Sequence, residues 1–89
     1  MIIEIDALFP SVTIDGKYIE FSKREYDLFL FLWQNRGKIC TRNIIQSSIW
    51  RGNYYHDEQL VDKVITRIRK KIGKTGILVK TVKGFGYRI

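Results

Sequence analysis

The first third of the chain alternates apolar and polar residues in a way that predicts β-strands. The alternation is visible in residues 3–6, 12–14 and 17–21, and a period of two is typical of strands that bury one face. Asp15-Gly16 separates the last two runs and favours a two-residue hairpin turn, because glycine adopts a positive φ without strain. We expect Pro10 to interrupt or end an edge strand, since proline cannot donate a ladder hydrogen bond. The pattern therefore predicts an N-terminal antiparallel sheet.

A buried helix is predicted next. Ser22 is a suitable N-cap, and Glu25 three residues later completes the pattern of a capping box. Residues 28–33 are apolar on almost every side of such a helix, which indicates the most buried element of the fold. Gly37 is suited to the left-handed conformation that commonly ends a helix.

A second, shorter helix is predicted to begin at Thr41 as its N-cap. Ile44, Ile45 and Ile49 mark one face of it. Residues 51–56 show no periodicity and predict a loop.

The third helix has the sharpest pattern in the chain. Over residues 58–72, Val61, Ile65, Ile68 and Ile72 recur at spacings of four, three and four, so they form one apolar stripe. The side facing away from this stripe is polar and mostly basic. It comprises Gln59, Lys63, Thr66, Arg67, Lys70 and Lys71.

The chain ends in a predicted β-hairpin over residues 77–89, whose tip, Lys83-Gly84-Phe85-Gly86, is basic and rich in glycine. We expect both glycines of the tip to supply the backbone freedom of a tight turn. Strands, three helices and a hairpin in this order predict an α+β fold. We expect one domain over residues 1–89, because this length suits a single core.

Charge is distributed very unevenly along the chain. Residues 1–58 contain seven Lys/Arg and eight Asp/Glu, whereas residues 59–89 contain nine Lys/Arg and one acid, Asp62. The net charges of the two parts are −1 and +8. Because so much positive charge repels itself, the distribution indicates a polyanionic partner rather than the mixed-sign surface that only keeps a protein in solution.

Helix 58–72 is the best candidate for contacting that partner. Its outer face carries guanidinium, ammonium and amide groups, which bind phosphates and base edges, and an α-helix fits the major groove of B-DNA. An ordinary solvated amphipathic helix has a similar face, so the interpretation also depends on the charge asymmetry and the basic hairpin. Together these features favour binding of double-stranded DNA.

Three other functions fit the sequence less well. A protein-interaction module of the same fold would need an acidic partner for the C-terminal half. RNA binding predicts aromatic residues exposed on a sheet, whereas the aromatics here cluster in the first helix. An enzyme is the least favoured class, because no carboxylate pair, nucleophile–base set or cofactor motif is found. We accordingly expect no cofactor and no metal site.

Four ordered motifs resemble the effector domain of OmpR/PhoB-type response regulators of two-component systems. Phe21–Phe29 is similar to the Ser/Thr-x-x-Glu-Tyr/Phe-x-Leu-Leu motif that opens the family's first helix, and Trp50 stands where its second helix ends in a tryptophan. Val61–Ile72 resembles Val-Asp-x-x-Ile-x-Arg-Leu-Arg-Lys-Lys-Leu, and Thr81–Arg88 resembles Thr-Val-Arg-Gly-x-Gly-Tyr-Arg. The four motifs together are far more specific than any one of them.

This resemblance implies a winged helix-turn-helix with a four-stranded N-terminal sheet, three helices and a C-terminal hairpin wing. It implies a bacterial, cytoplasmic transcriptional regulator that places helix 58–72 in the major groove and the wing, 77–89, in the minor groove. The matching positions give Gln59, Lys63, Val64, Thr66 and Arg67 in the major groove, Arg69 and Lys70 nearer the phosphates, and Lys83 in the minor groove. Because of their charge, Lys71 and Lys80 are also expected to contact phosphates, and Arg88 completes the candidate DNA contacts.

Partners other than DNA also follow from the resemblance. Loop 51–56, with Tyr54 and Tyr55, matches the family's transactivation loop, which in some members contacts RNA polymerase. From the residues alone, packing of the two tyrosines within the domain is as well supported as a protein-contact surface. Family members often bind direct repeats as head-to-tail pairs. No receiver domain is present in the 89 residues, so the chain itself does not indicate control by phosphorylation.

Three positions depart from the family pattern. Val64 stands where a polar residue is common and Thr66 where an arginine is common, so donors to base edges are lost at both. For Val64 the remaining role is apolar contact with a thymine methyl group. Lys83 replaces the wing arginine and lacks its planar fork.

The remaining reactive residues have simpler interpretations. We expect Cys40 to be a small buried hydrophobe rather than a redox thiol; as the one cysteine it cannot form an internal disulfide, and a reducing compartment is the default. His56 has no second ligand for a metal. Asp62 is expected to orient an arginine of the domain, with Arg69 as the candidate. The tryptophans and the phenylalanines of the first helix are expected in the core, and no segment is long enough to cross a bilayer.

Overall fold

The computed structural model describes residues 1–6, 8–51 and 58–89, with the backbone alone at residue 58. Within them, strands, three helices and a terminal hairpin follow in the predicted order, so the α+β class is confirmed. The elements are β1 (Ile3–Asp6), β2 (Ser11–Ile14), β3 (Lys17–Glu20), α1 (Lys23–Gln34), β4 (Cys40–Thr41), α2 (Arg42–Ile45), a π-helical turn (Gln46–Trp50), α3 (Glu58–Ile72), β5 (Lys80–Val82) and β6 (Gly86–Arg88). One antiparallel sheet has the order β1-β2-β3, and a second has the order β4-β6-β5.

The predicted hairpin around Asp15-Gly16 is confirmed. The two turn residues have φ angles of +48° and +83°, as a type I′ turn requires, and Ile14 pairs with Lys17 across the turn. Val12 and Ile14 are buried in the core. This sheet therefore covers one side of the hydrophobic interior.

The N-terminal sheet has three strands among the described residues, not the four that the family resemblance implied. Residues 8–10 form a turn before β2, and the Asp6 carboxylate accepts the backbone amides of Leu8 and Phe9 at 2.8 and 3.2 Å. Pro10 comes directly before β2, which is the central strand. The expectation that Pro10 marks an edge strand is therefore wrong, because the turn ends at Pro10 and the central strand starts after it.

Helix α1 begins with the predicted capping box. The Ser22 hydroxyl accepts the amide of Glu25 at 3.2 Å, and the Glu25 carboxylate accepts the amide of Ser22 at 2.8 Å. Loss of such an N-cap typically costs about 1 kcal/mol of stability. Leu28, Phe29 and Leu32 are buried, and they place α1 at the centre of the core.

Helix α2 starts at the predicted N-cap, since the Thr41 hydroxyl accepts the amide of Ile44 at 3.2 Å. Ile45 is fully buried, but Ile44 is 49% exposed, so the expected face of three isoleucines is wrong at Ile44. Successive residues of a helix point about 100° apart, and in α2 this turns Ile44 towards the solvent while Ile45 faces the core. Beyond α2 the helix widens into the π-helical turn, which ends with Trp50 buried in the core.

The apolar stripe of α3 is confirmed as its buried face. Val61, Ile65, Ile68 and Ile72 are all buried in the hydrophobic cluster that also contains the core residues of α1. Burying one such side chain stabilises a fold by about 1.5–3 kcal/mol. The four side chains together fix the rotation of α3 about its axis, and this rotation decides which other side chains face the solvent.

Strand β4 attaches the C-terminal hairpin to the start of α2. Cys40 pairs with Tyr87 and Thr41 with Gly86, and a Cβ atom added at Gly86 would lie 2.1 Å from the carbonyl oxygen of Cys40. The close approach of two strands therefore requires a glycine at position 86. The expectation that Gly86 serves the turn is wrong. Gly84, with φ of +83°, does supply the freedom of the turn.

Candidate nucleic-acid interface

The polar side of α3 lies on the surface, opposite the buried stripe. All six side chains expected there are exposed: Gln59, Lys63, Thr66, Arg67, Lys70 and Lys71. The face offers ammonium, guanidinium and amide groups, the donors that bind phosphates and base edges. The Thr66 hydroxyl donates to the carbonyl oxygen of Asp62 at 3.0 Å, so Thr66 keeps acceptor capacity for an outside group and no free donor.

Val64 does not share this face. It is 6% exposed and belongs to the hydrophobic core. On a helical wheel Val64 lies beside Val61 and Ile68, at the edge of the buried stripe. The expected contact of Val64 with a thymine methyl group has no support in the structure, and Val64 leaves the set of candidate DNA contacts.

Two of the expected phosphate contacts bind other parts of the domain. Lys71 Nζ donates to a carboxylate oxygen of Glu25 in α1 at 2.5 Å. Arg69 donates from Nε and Nη2 to the carbonyl oxygen of Val79 at 3.0 and 2.7 Å, and from Nη2 to the Thr81 hydroxyl at 2.8 Å. From the charge pattern alone both cations were expected to be available for phosphate contacts. Both, however, lie on the flanks of α3, where neighbouring elements supply hydrogen-bond acceptors.

Asp62 orients an arginine, as expected, but this arginine is Arg42 of α2 and not Arg69. The Asp62 carboxylate accepts Nε of Arg42 at 3.0 Å and also accepts the Tyr87 hydroxyl. The hydrogen bond to Asp62 raises the pKa of Arg42, and burial together with the bond to Asp62 raises the pKa of Tyr87. Both groups therefore stay protonated at neutral pH. Arg42, Asp62, Arg69 and Tyr87 are called the wing anchor below.

Lys83 and Phe85 form the exposed tip of the wing, which is the hairpin of β5 and β6. Because side chains alternate along a strand, Tyr87 faces α3 while Arg88 and its pairing partner Lys80 lie on the other face of the hairpin. Lys80 is exposed and Arg88 is half-buried. Phe85, which was not among the expected contacts, is 63% exposed beside Lys83.

Tyr54, Tyr55 and His56 lie outside the described residues, so the protein-contact loop stays a prediction. Arg51 is the last described residue before it and has a φ of +46°. Beside Arg51, a groove of about 690 Å³ runs between α1 and the π-helical turn.

The remaining chemistry of the described residues is limited. Cys40 is buried, as predicted, and burial raises the pKa of its thiol, which disfavours the reactive thiolate. Trp50 is buried and Trp33 is half-buried against the core. In the part of the chain that the structure describes, no three His, Cys, Asp or Glu side chains are placed to hold a metal ion. None of the described helices has the length and apolar character needed to span a bilayer.

Comparison with known proteins identifies similar domains. The model of a family described as "Transcriptional regulatory protein, C terminal" matches residues 16–89. The phosphate regulon transcriptional regulatory protein PhoB of Pseudomonas aeruginosa is 40% identical over 85 residues, which is 94% of this chain and 37% of that protein.

Solved structures show the same similarity. The DNA-binding domain of Bacillus subtilis CssR superposes with a TM-score of 0.78 at 29% identity, covering 88% of both chains. The DNA-binding domain of Klebsiella pneumoniae RstA, solved in complex with the RstA box, superposes with a TM-score of 0.83 at 26% identity, covering 98% of this chain and 89% of that one. These matches confirm the winged helix-turn-helix fold.

The extent of the matches differs between the two comparisons. The chain spans only 31–40% of the length of the curated regulators that it matches. It covers nearly the whole of the solved DNA-binding domains. The similarity therefore concerns the DNA-binding part of these regulators.

Proposed function

The chain belongs to the family of C-terminal domains of transcriptional regulatory proteins, and from this we propose that it binds double-stranded DNA sequence-specifically and regulates transcription. It acts as the effector domain of a bacterial response regulator in the cytoplasm, with α3 in the major groove and the wing in the minor groove. No catalytic step and no cofactor is part of this function.

One observation supports this proposal above all others. The side of α3 opposite its buried stripe is exposed and carries Lys63, Arg67 and Lys70 together with the amide of Gln59. An α-helix presenting such groups fits the roughly 12 Å major groove. The buried stripe of Val61, Ile65, Ile68 and Ile72 on the other side prevents the helix from rotating this face away from a partner.

The exposed side chains divide into two roles. Gln59, Lys63 and Arg67 select bases, because a planar guanidinium suits guanine and an amide suits adenine. Thr66 accepts from a base amino group, since its own proton is bonded within the helix. Lys70 contacts phosphates and so contributes to affinity for any sequence.

The wing adds a second contact region. Lys83 at the exposed tip enters the minor groove, where its ammonium favours the negative potential of narrow A·T-rich segments. Lys80 and Arg88, on the face of the hairpin turned away from α3, approach neighbouring phosphates.

Two protein partners belong to the same proposal. A second copy of the domain binds head to tail on a direct repeat, and the charge distribution favours this: Glu4, Asp6 and Glu20 are exposed on the first sheet, whereas the wing is basic. RNA polymerase contacts loop 51–56, including Tyr54 and Tyr55.

In vitro selection from a random duplex library at fixed salt tests the function. We expect one enriched motif, repeated at a spacing near one helical turn when two copies bind. The affinity for mixed-sequence DNA should fall steeply with salt, with a log–log slope of about −4 to −5 if roughly five phosphates are neutralised. No enriched motif together with a flat salt dependence would instead favour the protein-interaction module.

A further inference from the structure

Three elements meet at the Asp62 carboxylate, which lies on α3. One oxygen of this carboxylate accepts Nε of Arg42, at the start of α2, and the hydroxyl of Tyr87, on β6 of the wing. The guanidinium carbons of Arg42 and Arg69 lie 5.2 and 5.5 Å from the centroid of the Tyr87 ring, within the range of cation–π attraction. Tyr87 is thus held both at its hydroxyl and at its ring.

Helix α3 contacts the wing at two separate points. Asp62 holds β6 through Tyr87, and Arg69, seven residues later, holds the other strand through Val79 and Thr81. With a rise of 1.5 Å per residue, these points are about 10 Å apart along α3. A single point would leave the hairpin free to pivot about it, whereas two points fix the angle between the hairpin and the helix.

The strand pairing of the wing does not by itself fix this angle. β4 contributes only two residues, Cys40 and Thr41, which pair with Tyr87 and Gly86 along β6 and do not pair with β5. The tip with Lys83 extends beyond this short ladder. Its direction relative to α3 therefore depends on the contacts that α3 itself makes.

A carboxylate at this place is unfavourable for DNA binding alone. Asp62 is the one acid among residues 59–89, and it lies between the two elements proposed to approach phosphates. Arg42 compensates its charge in an ion pair of 3.0 Å. Although the carboxylate repels DNA phosphates, its hydrogen bonds to Arg42 and Tyr87 join three elements of the domain.

We propose that Asp62 and Tyr87 are positioning residues, which set the angle between α3 and the wing so that both reach their grooves together. This inference rests on the proposed function. The hydroxyl–carboxylate bond touches no DNA and acts through Lys83 at the wing tip. Binding costs less when the bound geometry already exists in the free protein, because less conformational freedom is lost.

A double-mutant cycle between Tyr87→Phe and Lys83→Ala tests the proposal, with dissociation constants measured on the selected duplex. We expect Lys83→Ala to weaken binding about tenfold in the natural chain and less than about threefold in Tyr87→Phe. In Tyr87→Phe the wing no longer directs Lys83 into the minor groove, so removing the lysine costs less affinity. Lys70→Ala should weaken binding by the same factor in both backgrounds, because Lys70 lies on α3.

Tyr18→Phe is the matched control. It removes a tyrosine hydroxyl that donates to Glu20 at 3.3 Å on the first sheet, away from the wing. In this background Lys83→Ala and Lys70→Ala should weaken binding by the same factors as in the natural chain. Equal factors for Lys83→Ala with and without the Tyr87 hydroxyl would overturn the proposal. If Lys83→Ala and Arg67→Ala have no effect even in the natural chain, the proposed function fails instead.

Hydrogen exchange in the free protein gives a readout without DNA. In Tyr87→Phe, the amides of β5 and β6 should exchange several-fold faster while those of α1 stay protected, since only the hairpin is loosened. Unchanged wing exchange would contradict the positioning role. If Tyr87→Phe fails to fold, Asp62→Asn takes its place in the same cycle, because it keeps the size of the side chain and weakens both hydrogen bonds.

Discussion

Lys71 Nζ, near the end of α3, donates at 2.5 Å to the carboxylate of Glu25, which at the same time caps the start of α1. Glu25 is only 4% exposed. One buried carboxylate therefore joins the N-terminus of the central helix to the helix proposed to read DNA. Lys71, which the charge pattern assigns to phosphates, thus has an acceptor within the domain.

Lys71→Met should lower the free energy of unfolding by about 1–3 kcal/mol, because it leaves a buried carboxylate without its cationic partner. Urea denaturation at pH 7 measures this. Lys23→Met is the matched control: Lys23 pairs with Asp27 at 3.0 Å on the surface, and exposed pairs contribute only about 0.2–1 kcal/mol. Equal losses in the two variants would show that burial of Glu25 does not matter.

Stability should fall on acidification partly because of Glu25. Burial alone would raise the pKa of Glu25, but hydrogen bonds from Lys71 and Ser22 lower it below its ordinary value. A carboxyl whose pKa is lower in the folded state stabilises the fold above its unfolded pKa of about 4.3, and this contribution disappears as pH falls through the folded value.

Glu25→Gln should therefore be less stable than the natural chain at pH 7, and the difference should shrink as pH falls below about 4. Denaturation at several pH values from 7 to 2.5 measures this difference. Asp27→Asn, which removes a carboxylate of the same helix that pairs with Lys23 on the surface, serves as the control for the loss of a carboxylate. If the difference in free energy of unfolding between Glu25→Gln and the natural chain does not change with pH, the lowered pKa of Glu25 is contradicted.

Periodicity in the sequence was sufficient to predict the axis and buried stripe of α3, because Val61, Ile65 and Ile68 define one side of a helix by themselves. Periodicity was not sufficient to predict the surroundings of the residues on either side of this stripe. Whether Val64 is buried and whether Lys71 is free depends on which elements pack beside α3, and sequence spacing contains no information about those neighbours.

The same limit applies to the polar network and the glycines. Asp62 was expected to bind an arginine, but choosing Arg42 over Arg69 required the position of α2, which is distant in sequence. Gly84 and Gly86 look alike as residues of a glycine-rich turn, and only the passage of Cys40 beside Gly86 separates their roles.

Arg67→Ala and Val64→Ala should have opposite consequences. Losing the Arg67 guanidinium should cost about 1–3 kcal/mol of binding to the selected duplex and much less on random DNA, as expected for a base-edge contact. Val64→Ala should cost about 1–2 kcal/mol of stability and leave sequence preference unchanged, because Val64 packs in the core. Anisotropy titrations and urea denaturation of both variants measure this.

Equal losses for Arg67→Ala on selected and random DNA would show that Arg67 contacts only phosphates. A changed base preference for Val64→Ala, in a protein that remains folded, would return Val64 to the contact set.

Lys83→Ala should weaken binding mainly at the flanks of the site. If Lys83 enters the minor groove, replacing flanking A·T pairs by G·C should weaken the natural chain by severalfold and leave Lys83→Ala nearly unaffected. Lys83→Arg should bind at least as tightly as the natural chain, because arginine is favoured in narrow minor grooves. Footprinting and titration on the two duplexes check this; equal sensitivity of all three proteins to the flanks would rule out the wing contact.

Gly86→Ala should destabilise the domain far more than the same change at Gly84. At Gly86 the added Cβ would lie 2.1 Å from the carbonyl oxygen of Cys40 and 2.8 Å from Cα of Thr41. Both neighbours are backbone atoms and cannot move aside as a flexible side chain can, so the pairing of β4 with β6 must open. We expect a loss of about 3 kcal/mol or more in the free energy of unfolding.

At Gly84 the added atom meets nothing within 4 Å, and only the φ of +83° opposes alanine, at a cost of about 1–2 kcal/mol. Urea denaturation of both variants compares the two effects directly. Because β4 leads straight into α2 and β6 carries Tyr87, opening this ladder also releases the wing anchor. Gly86→Ala should therefore lose the preference for A·T flanks, whereas Gly84→Ala retains part of it, and similar behaviour of the two variants would contradict the role of strand approach.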